Sequence, residues 1–193
     1  MSSSSVIEHM KTSEIRDGDG LAQFYFDFQD QRSQRVTTFL QSVIVQLSDQ
    51  KPSVPEEVKV LYDDNINNLK QPTVETLILT LSSLAKEFQR TYIIVDALDE
   101  CSELERLLKA ITEVVRQCDG NINILAASRE DEGIGMALKP CLNDTLCVEG
   151  KGVEADLRRF VQNRVKGDPD LNMWSDNLKR EIENYLVRGS HGM

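Results

Sequence analysis

Three carboxylates follow directly on a short apolar run in Tyr92-Ile-Ile-Val-Asp96-Ala97-Leu98-Asp99-Glu100. A β-branched run of this kind suits a strand covered on both faces, and ligands of open parallel sheets bind at the C-terminal ends of such strands. Hard oxygen ligands there suit Mg2+, which keeps several waters and bridges one or two carboxylates to phosphate oxygens. Asp96 is the candidate magnesium ligand, and Asp99 and Glu100 are the candidates for polarising a water. The same residues also suit a plain solvated acidic turn. Farther on, Ala126-Ala127-Ser128-Arg129 places a hydroxyl and a guanidinium at the end of the next apolar run. Ser128 and Arg129 are candidates for contacting a phosphoryl group, with Arg129 stabilising charge during transfer. A lone arginine at a strand end is more often a surface cation. The order raises the catalytic reading: acidic strand end, amphipathic helix, then a strand ending in Ser-Arg.

The elements that must position these groups read as alternating strands and helices. Ala22 to Phe28 is aromatic and β-prone; Thr91 to Val95, Asn121 to Ser128 and a shorter run from Thr145 to Glu149 complete the predicted strands. Apolar positions at Val36, Phe39, Leu40, Val43, Ile44 and Leu47 share one helical face, as do Val74, Leu77, Ile78, Leu81, Leu84 and Phe88, with Thr73 as N-cap. Ser102-Glu103-Leu104-Glu105 fits a capping box ahead of a third helix, which closes near Gly120. Long crossovers between strands predict a parallel α/β sheet. After Gly150 the pattern turns helical, over Glu154 to Lys166 and Trp174 to Arg188, with Leu157, Phe160, Val161, Leu178, Ile182, Tyr185 and Leu186 expected to face a core. The expected organisation is therefore 1–150 as the α/β part and 151–193 as the start of a following helical region.

Composition narrows the partners. The 193 residues carry 32 acidic and 22 basic side chains, a formal net charge of −10, which argues against nucleic acid or an anionic membrane surface as partner. Cys101, Cys118, Cys141 and Cys147 form no Cys-x-x-Cys pair, and His9 and His191 lie at opposite ends, so a zinc site is not indicated. The N-terminus has neither a basic stretch nor an apolar run of signal-peptide length, and reduced thiols in a cytoplasmic protein are expected.

Phe24-Tyr-Phe-Asp-Phe28, Tyr92 to Glu100, Asn123 to Arg129 and the closing Gly189-Ser-His-Gly-Met193 resemble the nephrocystin-like NACHT modules of fungal STAND proteins. The resemblance covers nearly the whole chain. Its most specific piece is the Walker B segment, with the tiny residue Ala97 after the magnesium aspartate and acids three and four positions on. It implies a P-loop NTPase fold, Mg2+ with ATP or GTP, nucleotide-controlled oligomerisation with itself or other NACHT proteins, and downstream ankyrin, WD40 or tetratricopeptide repeats outside these residues.

The sequence departs from that family in having no Gly-x-x-x-x-Gly-Lys-[Ser/Thr], so the backbone nest and lysine that hold the β- and γ-phosphates are missing. By resemblance, Val6 to Met10 corresponds to the end of the P-loop helix. The expected fold is an incomplete three-layer P-loop core whose parallel sheet lacks the P-loop strand, followed by C-terminal helices. With the family order 2-3-4-1-5, strands 2, 3 and 4 stay contiguous and strand 5 near Thr145 loses its neighbour, which predicts marginal stability. As it stands the chain is expected not to turn over nucleotide. The alternative is a non-catalytic interaction module that pairs with full-length NACHT proteins or other partners.

Overall fold

A computed structural model describes residues 3–30, 33–68, 71–129, 131–146, 151–168, 171 and 174–189. The chain divides into two compact units, 1–142 and 143–193.

The first unit is a three-stranded parallel sheet, in the order β1 (Gly20–Tyr25), β2 (Thr91–Asp96) and β3 (Ile122–Ala126). The three strands are contiguous as the sequence predicts. Helices α2 (Val36–Ser48), α4 (Val74–Ala85) and α5 (Leu104–Cys118) bury their apolar stripes against one sheet face. That face is supplied by Ala22 and Phe24 of β1, Ile93 and Val95 of β2, and Ile122 of β3, because side chains alternate along a strand. α1 (Ser3–His9), continued by a π-helical turn over Met10–Glu14, brings the buried Ile7 to the sheet outside this main core, where β2 contributes the buried Ile94. β2 is thus covered on both faces, as its unbroken apolar run predicts. The remaining helices are α3 (Glu56–Asn68) and the short α6 (Glu132–Leu138), whose Asp131 N-cap accepts from the amides of Gly133 and Ile134. No periodic stripe announces α6; its buried positions reduce to Ile134 and Leu138.

The two edges of the sheet differ. On the outer side of β1, Gln46 of α2 accepts from the Gln23 amide at 3.0 Å and donates to the Gln23 carbonyl at 2.8 Å. Gln50, in the turn that follows α2, does the same for Leu21, at 3.0 and 2.7 Å. Two side-chain amides, one in α2 and one in the turn just beyond it, therefore stand in for a neighbouring strand at Leu21 and Gln23. On the outer side of β3 no such partner exists among the described residues. Gly20, where β1 begins, admits no side chain, since a Cβ there would lie 2.9 Å from the Phe88 ring. The strand thus starts and ends earlier than the predicted Ala22 to Phe28, and Phe26 adds only one further bond, from its amide to the Asp96 carbonyl.

Two other expectations are corrected. Ser102 caps no helix: its hydroxyl and amide both donate to the Gln34 carbonyl, and the N-cap of α5 is Glu103, without a side-chain cap. Glu103 instead reaches back to α2, its Oε2 accepting from the Val36 amide at 3.0 Å, and that bond holds its carboxyl below the ordinary carboxylate range. Thr145 and Leu146 are in no strand, Leu146 being 83% exposed, and 147–149 of that prediction lie outside the described residues.

The second unit contains α7 (Lys151–Gly167) and α8 (Asp176–Gly189), joined by Arg158 and Gln162 to Glu183 at 2.8 and 2.9 Å. Val161, Val165 and Val187 are buried, whereas Phe160, Leu178, Tyr185 and Leu186, expected in a core, are exposed. Two helices cover one apolar stripe each, and the wider stripe read from the sequence exceeds it.

The glutamine bridge gives a direct test. Gln46→Leu keeps the side-chain bulk but leaves the part-buried amide and carbonyl of Gln23 without their partners, and urea unfolding is expected to show a loss of about 1–3 kcal/mol. A change within experimental error would mean that water serves this edge equally well.

Candidate functional site

β2 ends by delivering Asp96 to the C-terminal edge of the sheet. Its Oδ1 accepts from the Ala97 amide at 2.9 Å; among the described residues nothing donates to its other oxygen, and the side chain is half-buried. Ala97 then adopts a left-handed conformation, φ 54° and ψ 48°, which turns the chain out of the strand and into a 3-10 turn over Leu98–Glu100. Leu98 goes into the core, and its amide donates to the Ala127 carbonyl at 3.0 Å, tying this turn to the end of β3. Asp99 and Glu100 are thereby held at the edge, each largely shielded from solvent.

A compact ionic cluster results. Asp99 Oδ1 accepts from the Arg129 amide at 3.1 Å and the Ser128 hydroxyl at 3.3 Å, and its Oδ2 pairs with Arg129 Nε at 3.0 Å. Glu100 Oε1 meets Arg129 Nη2 at 3.4 Å, while Oε2 accepts from the Phe28 amide at 3.0 Å. Both carboxylates are therefore fully engaged, and they hold together the ends of all three strands. The Arg129 side chain remains 71% exposed, so the guanidinium caps the cluster from the solvent side.

The structure brings Asp99, Glu100, Ser128 and Arg129 into one hydrogen-bonded group; Asp96 makes none of those contacts. No three His, Cys, Asp or Glu side chains converge on a metal position among the described residues. A single carboxylate with a free oxygen at a sheet edge still matches what Mg2+ takes from protein when phosphate and water complete its octahedron. A polar cavity of about 230 Å3, lined by Glu14, Arg16, Asp19, Gln89, Arg90 and Tyr92, lies at the other end of β2 and touches none of these residues.

Sequence reading missed the supports of this cluster. The turn after β1 is gripped by the acidic segment at three points: Glu100 at the Phe28 amide, Cys101 and Ser102 at the Gln34 carbonyl, and Glu103 at the Val36 amide. No spacing links residues so far apart; only the adjacency of β1 and β2 does. Burial pushes the Cys101 thiol up from its ordinary range, so it serves this junction as a neutral donor.

Residues 1–129 match the family described as Nephrocystin 3, N-terminal. The chain belongs to this family. The matched part of this nephrocystin 3 N-terminal chain takes in all three strands and closes on Arg129, the last residue of the cluster. The chain is also similar to vegetative incompatibility protein HET-E-1 of Podospora anserina, 26% identical over 183 residues that make up 90% of the chain and 13% of that relative. It thus spans only a small part of the relative's length. No solved structure matches the chain. Among the described residues no helix is long and apolar enough to cross a membrane.

The left-handed turn explains why a tiny residue follows Asp96: a Cβ is disfavoured there and a branched side chain more so. Ala97→Gly is expected to raise stability by roughly 0.5–1 kcal/mol and Ala97→Val to lower it by more than about 1 kcal/mol, measured by thermal and urea melts. Equal stability of the three proteins would mean that the turn is not left-handed in solution.

Proposed function

We propose that the first unit is the Walker B and sensor part of a NACHT-type P-loop NTPase core, a signalling switch that in the complete protein binds and hydrolyses ATP or GTP with Mg2+. The observation that carries this reading is the pairing of one free carboxylate oxygen, on Asp96 of the central strand, with an adjacent acid-arginine cluster at the C-terminal edge of a parallel sheet. Membership of the nephrocystin 3 N-terminal family and similarity to a fungal incompatibility protein support it.

Asp96 would hold the magnesium shell, and the ion would neutralise charge on the phosphate oxygens. Asp99 and Glu100 are the acids for orienting water, and Ser128 and Arg129 face the transferred phosphoryl group. Arg129 pairs with both acids, so an incoming polyphosphate competes for the same guanidinium. Glu100 would then exchange an arginine partner for water while keeping the Phe28 amide. The complete protein would work in the cytoplasm, assembling with NACHT-family partners or with copies of itself. The second reading, a non-catalytic interaction module, is favoured by one observation: the outer edge of β3, which has no backbone partner among the described residues.

Without a Gly-Lys phosphate cradle the 193-residue chain is expected to show no Mg2+-dependent turnover of ATP or GTP. Fusing a Gly-x-x-x-x-Gly-Lys-Ser strand and loop ahead of it is expected to confer Mg2+-dependent nucleotide binding that Asp96→Ala removes. A fusion that folds, by circular dichroism, yet binds neither nucleotide contradicts the proposal, as does turnover by the unfused chain that depends on Asp96.

A further inference from the structure

The polar cavity at the N-terminal end of β2 is set in a fixed frame. On one side, residues 16–19 form a tight turn. The Asp19 amide donates to the Arg16 carbonyl at 3.0 Å, the Arg16 amide donates back to Asp19 Oδ2 at 3.1 Å, and Gly18 supplies the positive φ, 93°, at the third position. On the other side, Gln89, Arg90 and Tyr92 lead into β2 and begin it. Two backbone bonds of 2.8 Å join the sides, from the Gln89 amide to the Gly18 carbonyl and from the Gly20 amide to the Arg90 carbonyl. A Cβ on Gly18 would lie 3.0 Å from Gln89 Nε2, so the two walls also pack against each other.

Four charged side chains of both signs line this cavity, Arg16 and Arg90 against Glu14 and Asp19, yet they form no salt bridge across it. Arg90 lies against the Tyr92 hydroxyl, which, with the Asp19 charge, raises its pKa and keeps it cationic. Glu14 has an ionic contact only with His9, at 3.7 Å, and Asp19 commits one oxygen to the Arg16 amide. Unused donors and acceptors thus surround a space of about 230 Å3. A polyanion would meet the two acids here, on a chain of net charge −10, and a simple cation would meet the two guanidiniums. A molecule with one carboxylate and one ammonium satisfies both sets, because guanidiniums take a carboxylate through paired N–H donors and an ammonium offers three donors to the acids. The space is smaller than the roughly 300–1,000 Å3 of drug-sized sites. We propose that this cavity binds a free α-amino acid, its carboxylate between Arg16 and Arg90 and its ammonium at Glu14 and Asp19. The lining has one aromatic ring and no aliphatic side chain, so the ligand's own side chain is short or polar. Four steps along β2, about 13 Å, separate Tyr92 from Asp96, and the proposal is independent of any nucleotide.

NMR titration of the isotope-labelled 193-residue chain with glycine, L-serine and L-glutamine, each up to roughly 20 mM, is expected to move the amide signals of residues 16–20 and 89–92 saturably. Acetate, methylammonium and inorganic phosphate, which lack one half of the pattern, are expected to bind at least about tenfold more weakly. Arg16→Gln and Arg90→Gln should each weaken the amino acids by at least about tenfold, with circular dichroism unchanged. Glu14→Gln lies outside the sheet and serves if an arginine variant disturbs the fold; it is expected to weaken the amino acids while sparing acetate. No saturable shift with any of the three amino acids overturns the proposal. So does acetate or phosphate binding as tightly as they do, which would make the cavity a simple anion site, or undiminished affinity in the folded variants.

Discussion

The first unit depends on β2 being paired on both sides and covered on both faces. That arrangement satisfies its backbone groups without water and buries Ile93, Ile94 and Val95 almost completely. The consequence falls on its last residue. An apolar strand held this rigidly has to leave the sheet abruptly, and it does so through the left-handed Ala97, which sends Leu98 back into the core and leaves Asp96, Asp99 and Glu100 at the edge. The acids are placed by the core beneath them.

The same strand pairing explains the second layer of the site. Because β1 lies beside β2, the acidic segment reaches the turn after β1 and ties it at Phe28, Gln34 and Val36. Because β3 lies on the other side, Asp99 takes hold of Ser128 and Arg129. The strand order therefore converts one stretch of sequence into a junction of three chain segments. A ligand that draws Arg129 away would act on all of them.

Much of this was legible in the sequence. The strand ending in Asp96, the stripes of α2, α4 and α5, the Thr73 cap, and the contiguous parallel strands follow from periodicity and order. What was not legible depended on distant partners. Ser102 and Glu105 have the spacing of a capping box, yet the Gln34 carbonyl claims the Ser102 hydroxyl. β1 begins at Gly20 because Phe88 packs there and Gln50 serves Leu21, neither of which leaves a local pattern. The breadth of the apolar stripes in α7 and α8 overstated their burial, since amphipathicity records what a helix can cover and not what covers it. For the candidate site, the residue types were readable, while their engagement with one another required the fold.

The central claim is that the outward backbone groups of this sheet are satisfied at Leu21 and Gln23 of β1 by glutamine side chains and, among the described residues, left open along β3. Amide hydrogen exchange by NMR tests it residue by residue. Protection is expected throughout β2 and at Leu21 and Gln23, and along β3 it should alternate, with Asn123, Leu125 and Ala127 slow and Ile122, Ile124 and Ala126 fast. Uniform protection along β3, or fast exchange at Gln23, would contradict the account.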